Sequence, residues 1–420
     1  MKLPAQGKSV AFLICCLAVL IVAPLLSTKG QWISLLCRVG ILSIFALSFN
    51  LLLGETGLLS FGHAVYFGLG AFSTMHLLRA IHDSRASFPI TLLPLVGGAV
   101  GLFFGLCFGY VITRRAGTTF AMISLGIGEL VAAGSHMFPA IFGGEGGISS
   151  NRMTPPGWFG ITYGPPLQLY YLIAGWAFLC VVAMYLFTDT PLGRLANAVR
   201  DNPERAEFVG YNPQRVRHLM VALAGFFAGV AGGLNALNYE IVTAETLGAA
   251  TSGLVLMMVF VGGLGSFVGP ILGAALITVL QTWVSAVTEA WPFYFGLFFT
   301  ILVVQSPAGL AGMLKHQKAL YQAGRLGRAI PHYLLAALPL ALLAWGLITL
   351  VEMAYALSNT TERGHALLHM FGLTLNASNP VSWLCAAAAV AAGWIALKLL
   401  SRWAAGREPE VPVALQPRQT

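Results

Sequence analysis

Apolar runs long enough to cross a bilayer recur along this chain, and they constrain its fold more than any other feature. Each run has about 20 residues, which spans about 30 Å of hydrocarbon at 1.5 Å of helical rise per residue. Hydrophobic residues make up 57% of the 420 residues and charged residues 9%, whereas a soluble globular chain carries about 25% charged residues. The sequence therefore excludes a water-soluble fold and predicts an all-α, polytopic transmembrane helical bundle.

We predict about 10 to 12 spans, counted from apolar runs of this length. Broken backbone at membrane depth is tolerated only where it is buried in protein or lines a wet cavity. The stretch 253–285 is long and interrupted by glycines, so it is either a re-entrant hairpin or two short spans, and it marks a candidate solute path. The single spans are placed near 10–26, 33–53, 58–78, 90–113, 118–140, 168–188, 218–239, 293–307, 332–351 and 381–400.

The basic residues predict how the spans are oriented. Lys and Arg concentrate at 114–115, at 194–217, at 315–328 and beyond residue 398, and such segments favour the cytoplasmic side. Both chain termini are then cytoplasmic, and both ends of 253–285 lie outside. The formal net charge of +8 reflects this bias. Because the charges form no continuous basic face, nucleic acid is not a predicted partner.

The segment 191–217 carries the most informative local pattern, a short capped helix between two spans. Asn202 can cap such a helix, and Pro203 suits its first turn. Glu204 favours the positive helix end, and Gly210 can terminate the helix. This pattern predicts a cytoplasmic helix of about two turns. On these residues alone it is either an ordered loop or a docking element.

Glu204-Arg-Ala206 followed by Gly210 resembles the Glu-Ala-Ala…Gly loop of ABC importer permeases, whose coupling helix docks into a groove on the ATPase. With its flanking residues the segment is similar to that of LivM-type permeases of branched-chain amino acid importers, although Arg205 stands where Ala is usual. Further blocks resemble the same family in the same order, at 54–72, 124–130, 142–148, 261–273 and 302–310. The residues that the resemblance assigns to the coupling helix are Arg200, Asp201, Asn202, Glu204, Ala206 and Gly210.

Polar and glycine residues within the spans are candidates for the solute path, because polar groups in a bilayer are costly and should face protein or water. Two interpretations stay open. Either Glu129 and His63 line or gate the path, or Glu129 pins helices through a buried hydrogen bond and His63 donates to a backbone carbonyl. The candidate path residues are Asn50, Ser60, His63, Glu129, Gly262, Gly263, Gly265 and Ser266.

The resemblance implies a multi-pass permease subunit of an ATP-driven importer that translocates branched-chain amino acids or related small polar solutes across a bacterial inner membrane. Besides the lipid bilayer, the implied partners are a homologous second permease, two cytoplasmic ATPase subunits and a periplasmic solute-binding protein. The chain has no Gly-x-x-x-x-Gly-Lys-Ser/Thr loop, so ATP is expected on the partners, and no cofactor or metal site is predicted in this chain.

Two other function classes were weighed. An ion-coupled secondary transporter of small solutes is the alternative, and it would need its own ion site with paired intramembrane carboxylates. An enzyme is not predicted, because the sequence has no His-Glu-x-x-His motif or similar cluster.

The resemblance predicts a permease core at 1–314. A basic cytoplasmic linker at 315–331 and an extra two-span extension at 332–405 follow, and no motif assigns the extension a role. The polar, proline-containing tail at 406–420 has the composition of a disordered segment.

Overall fold

The computed structural model describes most of the chain, and contacts between residues divide it into two units. The first unit comprises Met1–Ala286 with Phe295–Met313, and the second comprises Val287–Tyr294 with Leu314–Thr420. The predicted tail at 406–420 lies outside the described residues, and the functional division into core, linker and extension stays a prediction. The described residues are 14, 16–27, 29–83, 88–153, 162–306, 308–322, 326–358, 367–370, 373–376 and 379–405.

Nearly all of the described chain is α-helical, with two short antiparallel strand pairs. Strand β1 (Ile148–Ser149) pairs with β2 (Ile241–Val242), and β3 (Leu367–Met370) pairs with β4 (Leu373–Asn376). In chain order the helices longer than four residues are α1 (Cys16–Leu26), α2 (Gly30–Thr56), α3 (Ala64–His82), α4 (Leu93–Ile112), α5 (Thr118–Met137), α6 (Pro166–Thr188), α7 (Pro191–Asp201), α8 (Pro203–Phe208), α9 (Pro213–Tyr239), α10 (Ala249–Gly262), α11 (Gly269–Val287), α12 (Trp291–Gln305), α13 (Gly309–Gln322), α14 (Leu326–Ser358) and α15 (Pro380–Ala405).

Nine of the described helices are long and apolar enough to cross a membrane, or ten if the bent pair of α12 and α13 counts as one span. The polytopic all-α prediction is therefore confirmed. Of the predicted span at 10–26, the described part is the short apolar helix α1, and the residues before 14 lie outside the description. The predicted span at 58–78 begins later than expected, because 57–63 is not helical and α3 starts at Ala64.

The centre of the first unit is formed by α2, α3, α4 and α9, and glycines bring α9 close to α3 and α4. Gly97 and Gly101 of α4 lie against Gly229 and Gly225 of α9, so that a Cβ on any of the four would overlap backbone atoms of the facing helix. Gly232 approaches the backbone carbonyl of Phe67 in α3 in the same way. Small residues are required here because helix association in lipid depends on close backbone packing rather than on the hydrophobic effect.

The non-helical segment 57–63 lies at membrane depth. The hydroxyl oxygen of Ser48 in α2 and Nε2 of His63 are 2.9 Å apart. Ser48 precedes the end of α2 at Thr56 by about 12 Å along the helix axis. The chain therefore leaves α2, turns at Gly57 (φ +69°), and runs back beside the last turns of α2 before α3 begins.

The stretch 253–285 is broken as predicted, with α10 and α11 forming an antiparallel hairpin. Gly273 of α11 packs on the carbonyl of Met258 in α10, and Gly262 packs on Gly269 across the turn. The 14 residues of α10 extend about 21 Å, which is less than the hydrocarbon thickness of about 30 Å. Helix α10 is therefore too short to cross the membrane by itself, whereas α11, with 19 residues, is one of the helices long enough to cross it.

The second unit contains a helical hairpin of α14 and α15. Gly346 of α14 lies against the carbonyl of Ala386, and Gly393 of α15 lies against the carbonyl of Pro339. A buried carboxylate, Glu352 (8% exposed), accepts hydrogen bonds from Tyr294 at 2.9 Å and from Thr288 at 2.6 Å. Glu352 was not a predicted site residue, and its partners lie about 60 residues away in sequence.

The close glycine contacts between α4 and α9 lead to a prediction about the amount of folded protein in membranes. We expect Gly229→Val to lower the amount of folded protein in membranes several-fold, because overpacking costs about 1–3 kcal/mol and the Cβ would meet the backbone of α4. Membrane levels and detergent size-exclusion profiles measure this. Gly175→Val in α6 is the matched control, since no atom lies within 4 Å of a Cβ at Gly175. Equal levels of the two variants would contradict the packing argument.

Candidate coupling and translocation site

Two consecutive helices, α7 and α8, form a capped element between the spans α6 and α9. The side chain of Asn202 accepts a hydrogen bond from the Arg205 amide at 2.8 Å, and Pro203 occupies the first turn of α8. Gly210 adopts φ +94°, and the Tyr211 amide donates to the Ala206 carbonyl at 3.0 Å. The predicted cap, short helix and glycine stop are therefore confirmed, whereas the preceding helix α7 was not predicted.

The outer surface of α8 is polar at one end and apolar at the other. Phe208 is 92% exposed, and Glu204 is also exposed. A groove of about 610 Å³ runs beside the helix between Glu204, Glu207 and Arg217. Large apolar side chains with this exposure next to charged residues are typical of a protein-docking surface.

Helix α7 is bonded to the end of α2. Arg200 Nη1 donates to the Gly54 carbonyl, and Asn197 Nδ2 donates to Glu55 Oε2 at 2.5 Å. The last carbonyls of a helix lack intrahelical donors and carry the negative end of the helix dipole, so a guanidinium both satisfies and stabilises them. The predicted coupling residue Arg200 thus lies before α8 and joins it to α2, and Asn197, which the sequence analysis missed, reinforces the joint.

Segment 57–63 connects the end of α2 to two other helices. The Phe61 amide donates to the hydroxyl of Ser124 in α5 at 3.1 Å, and the Ala64 amide donates to the hydroxyl of Ser252 in α10 at 3.0 Å. Gly62 lies against the Ser124 carbonyl, and Ser60 is 3% exposed. Side-chain hydroxyls thus replace the carbonyl acceptors that a helix would supply. Ser124 was not a predicted site residue. It lies in a block that resembles the permease family, and its hydroxyl within an apolar run could have identified it as a candidate.

His63 is fully buried among the rings of Phe45, Phe49 and Tyr66. The Ser48 hydroxyl donates its proton to the Phe45 carbonyl at 2.7 Å. The Ser48 oxygen therefore accepts from His63 Nε2, which leaves His63 Nδ1 as a buried acceptor without a partner among the described residues. This contact favours a packing role for His63, with a hydroxyl as the acceptor instead of the expected backbone carbonyl.

Asn50 and Glu129 occupy contrasting environments. Asn50 is 4% exposed, and its Oδ1 has no partner among the described residues. Glu129 is exposed on α5, whose most apolar window is only 28% buried. Its neighbour Gly128 packs on Gly62. The structure therefore does not support the interpretation in which Glu129 pins helices through a buried hydrogen bond, and the face of α5 that carries its carboxylate is open.

The candidate path residues in the turn 263–268, which is a second break in the helical backbone, lie apart from those near segment 57–63. Gly263 and Gly265 adopt φ +106° and +79°, and Ser266 Oγ accepts from the Gly269 amide at 3.1 Å. Gly309, at the 48° bend between α12 and α13, packs directly on Gly263. Two broken segments thus meet at this point. Their role in translocation, like that of Asn50, Ser60, His63 and Glu129, stays a prediction.

Comparison with known proteins identifies the family of the chain. Residues 31–306 match the family described as branched-chain amino acid transport system / permease component. The chain belongs to this family. It is a multi-pass membrane protein, the permease component of an ABC-type importer, and it assembles with other components of such a transporter. The ion-coupled alternative is not supported.

Individual relatives cover most of the chain at low identity. The high-affinity branched-chain amino acid transport system permease protein LivM of Salmonella typhimurium is 28% identical over 331 residues, covering 74% of this chain and 76% of the relative. LivM of Escherichia coli is 27% identical over 341 residues, covering 76% and 79%. The fructose import permease protein FruF of Bifidobacterium longum is 25% identical, covering 54% and 66%. No solved structure matches this chain.

The joint between α7 and α2 can be tested by amide hydrogen exchange of the purified permease. Loss of a hydrogen bond to a charged group costs about 1.5–3 kcal/mol, so we expect Arg200→Gln to speed exchange across α8 at least about tenfold. Arg194→Gln is the matched control, because Arg194 is exposed on the same helix. Unchanged protection of α8 in Arg200→Gln would show that the guanidinium does not hold the two helices together.

Proposed function

We propose that the chain supplies one half of the solute path of an ATP-driven importer for branched-chain amino acids or related small polar solutes in a bacterial inner membrane. A homologous permease supplies the other half, two ATPases bind on the cytoplasmic side, and a periplasmic protein delivers the solute. ATP is bound by the ATPases. Both chain termini face the cytoplasm, and the core at 1–314 carries the path. The names of the relatives, which include branched-chain amino acid and fructose permeases, support the solute class.

This proposal rests on one observation. The docking helix α8 directly follows α7, and α7 is hydrogen-bonded to the end of α2, where the broken segment 57–63 begins. Movement of an ATPase bound at Phe208 and Glu204 is transmitted by Arg200 to the Gly54 carbonyl. From there, segment 57–63 transmits it to α5 and α10 through the hydroxyls of Ser124 and Ser252. Coupling is then a shift between path conformations that the ATPase state favours differently.

The exposed face of α5 has a place in this scheme. Glu129 has no hydrogen-bond partner among the described residues and lies exposed on a helix at membrane depth. A carboxylate in that position is costly unless it meets water or protein. We place it along the aqueous path that the two permeases enclose, where it contacts polar solute or water.

Docking of the ATPase is tested by purifying the tagged chain from native membranes in mild detergent and identifying co-eluting chains by mass spectrometry. Wild type should recover an ATPase and a second permease. Glu204→Lys should lose most of the ATPase, because it reverses a charge on the docking surface, and should retain the permease. Glu145→Lys is the matched control, since Glu145 is exposed in the loop after α5.

The outcomes discriminate clearly between the possible roles of α8. If Glu204→Lys keeps its ATPase at the wild-type level, α8 is not the docking element. If wild type elutes alone even after crosslinking, the importer assembly itself is refuted.

A role of Glu129 in the path is tested by uptake of a radiolabelled branched-chain amino acid at matched protein levels. We expect Glu129→Gln to reduce uptake about tenfold, which corresponds to loss of one charge-assisted hydrogen bond of about 1.5 kcal/mol. Glu245→Gln serves as the control, because Glu245 is an exposed carboxylate of a loop. Undiminished transport by Glu129→Gln would rule out a required charge.

A further inference from the structure

A groove of about 800 Å³ opens at the end of the bundle opposite α8. It lies where α2 begins and where α9 and α11 end, and its walls include Lys29, Trp32, Arg38, Tyr239 and Trp283. Since α2 extends about 40 Å from Gly30 to Thr56, the groove lies on the other membrane face from the joint at Gly54. No part of the proposed coupling route uses it.

The groove carries positive charge without a matching carboxylate. Arg38 lies about 12 Å along α2 from Gly30, and its Nη2 donates to Gln281 Oε1 of α11 at 2.9 Å. Among the described residues neither Arg38 nor Lys29 pairs with a carboxylate. Glu240 follows Tyr239 in the chain, but it pairs with Arg152 at 3.8 Å.

A guanidinium at this depth calls for a compensating group. Arg presents five N–H donors, of which the contact to the Gln281 amide uses one. An uncompensated Arg inside a bilayer is costly, and such residues pair with an anion or reach toward the interface. The missing partner of Arg38 is therefore an anion that enters the groove from outside the described chain.

The aromatic residues of the groove indicate what kind of anion this is. Trp283 is 66% exposed and Tyr239 is 49% exposed, while Trp32 is fixed by a 3.0 Å hydrogen bond from Nε1 to the Ala23 carbonyl. Trp and Tyr concentrate at the level of lipid headgroups, where one edge meets acyl chains and the other meets polar groups. Cations beside such aromatics on an exposed helix match a lipid whose phosphate is charged and whose chains are apolar.

We propose that this groove binds the headgroup of an anionic phospholipid, with its phosphodiester on Arg38 and Lys29 and its acyl chains along Trp283. The lipid completes the hydrogen bonding of Arg38 and fastens the start of α2 to the end of α11. This site is independent of the proposed transport function, because it depends only on the charge and shape of the groove.

The site is tested by native mass spectrometry of the full-length chain, purified with its accompanying subunits, delipidated and exposed to equal amounts of phosphatidylglycerol and phosphatidylcholine. Wild type should retain phosphatidylglycerol in roughly tenfold preference, the ratio expected for a charge-assisted contact. Arg38→Gln should bring the two lipids to near parity, and Arg38→Lys should restore most of the preference. Arg79→Gln, at an exposed position near the end of α3, should behave as wild type.

Three results would overturn the proposal. They are equal retention of both lipids by wild type, an unchanged ratio in Arg38→Gln, and a photo-crosslinker at Trp283 that joins another protein subunit in native membranes instead of lipid. If Arg38→Gln is not recovered in folded form, Lys29→Gln decides, because a surface Lys near anionic lipid contributes about a fivefold preference. An unchanged ratio in Lys29→Gln would equally refute the site.

Discussion

Backbone N–H and C=O groups that leave a helix inside a bilayer must find partners within the protein, because lipid offers none. The first unit of this permease depends on how it meets that requirement at segment 57–63. The amides of Phe61 and Ala64 are satisfied by serine hydroxyls of α5 and α10, and the Gly54 carbonyl by a guanidinium of α7. Each bond that permits the break also ties another helix to it. The irregular segment is thus where α2, α5 and α10 meet the element formed by α7 and α8.

Close packing around this point depends on glycine. Gly62 allows the broken segment to touch α5, and Gly232 allows α9 to approach α3. In lipid the benefit of such contacts comes from dispersion and weak polar interactions, which decline steeply with separation. The second break follows the same rule, since Gly309 brings one bent helix onto the turn at Gly263. Packing at these positions is backbone on backbone, which leaves little freedom for independent movement.

This arrangement connects helices α7 and α8 directly to the interior of the bundle. Helix α8 is short and exposed. Helix α7, which precedes it, is hydrogen-bonded through Asn197 and Arg200 to the end of α2, and segment 57–63 follows directly from that end. A displacement of α8 therefore reaches membrane depth through hydrogen bonds and a few residues of chain. The proposed function requires such a joint, because work done by a partner on α8 must alter contacts inside the bundle.

The sequence by itself determined the helical class, the position of most spans, the break in 253–285 and the capped helix at 203–208. These are local properties: apolar run length, glycine conformation and capping are set by residues within a few positions of one another. The tertiary structure alone decided that α3 starts at Ala64, because the hydroxyl acceptors that replace helix carbonyls there come from Ser124 and Ser252. It also decided that Arg200 joins α7 to α2 and that Arg38 meets Gln281. These partners are separated by 63 to 243 positions in sequence, and only the packed bundle brings them within hydrogen-bonding distance.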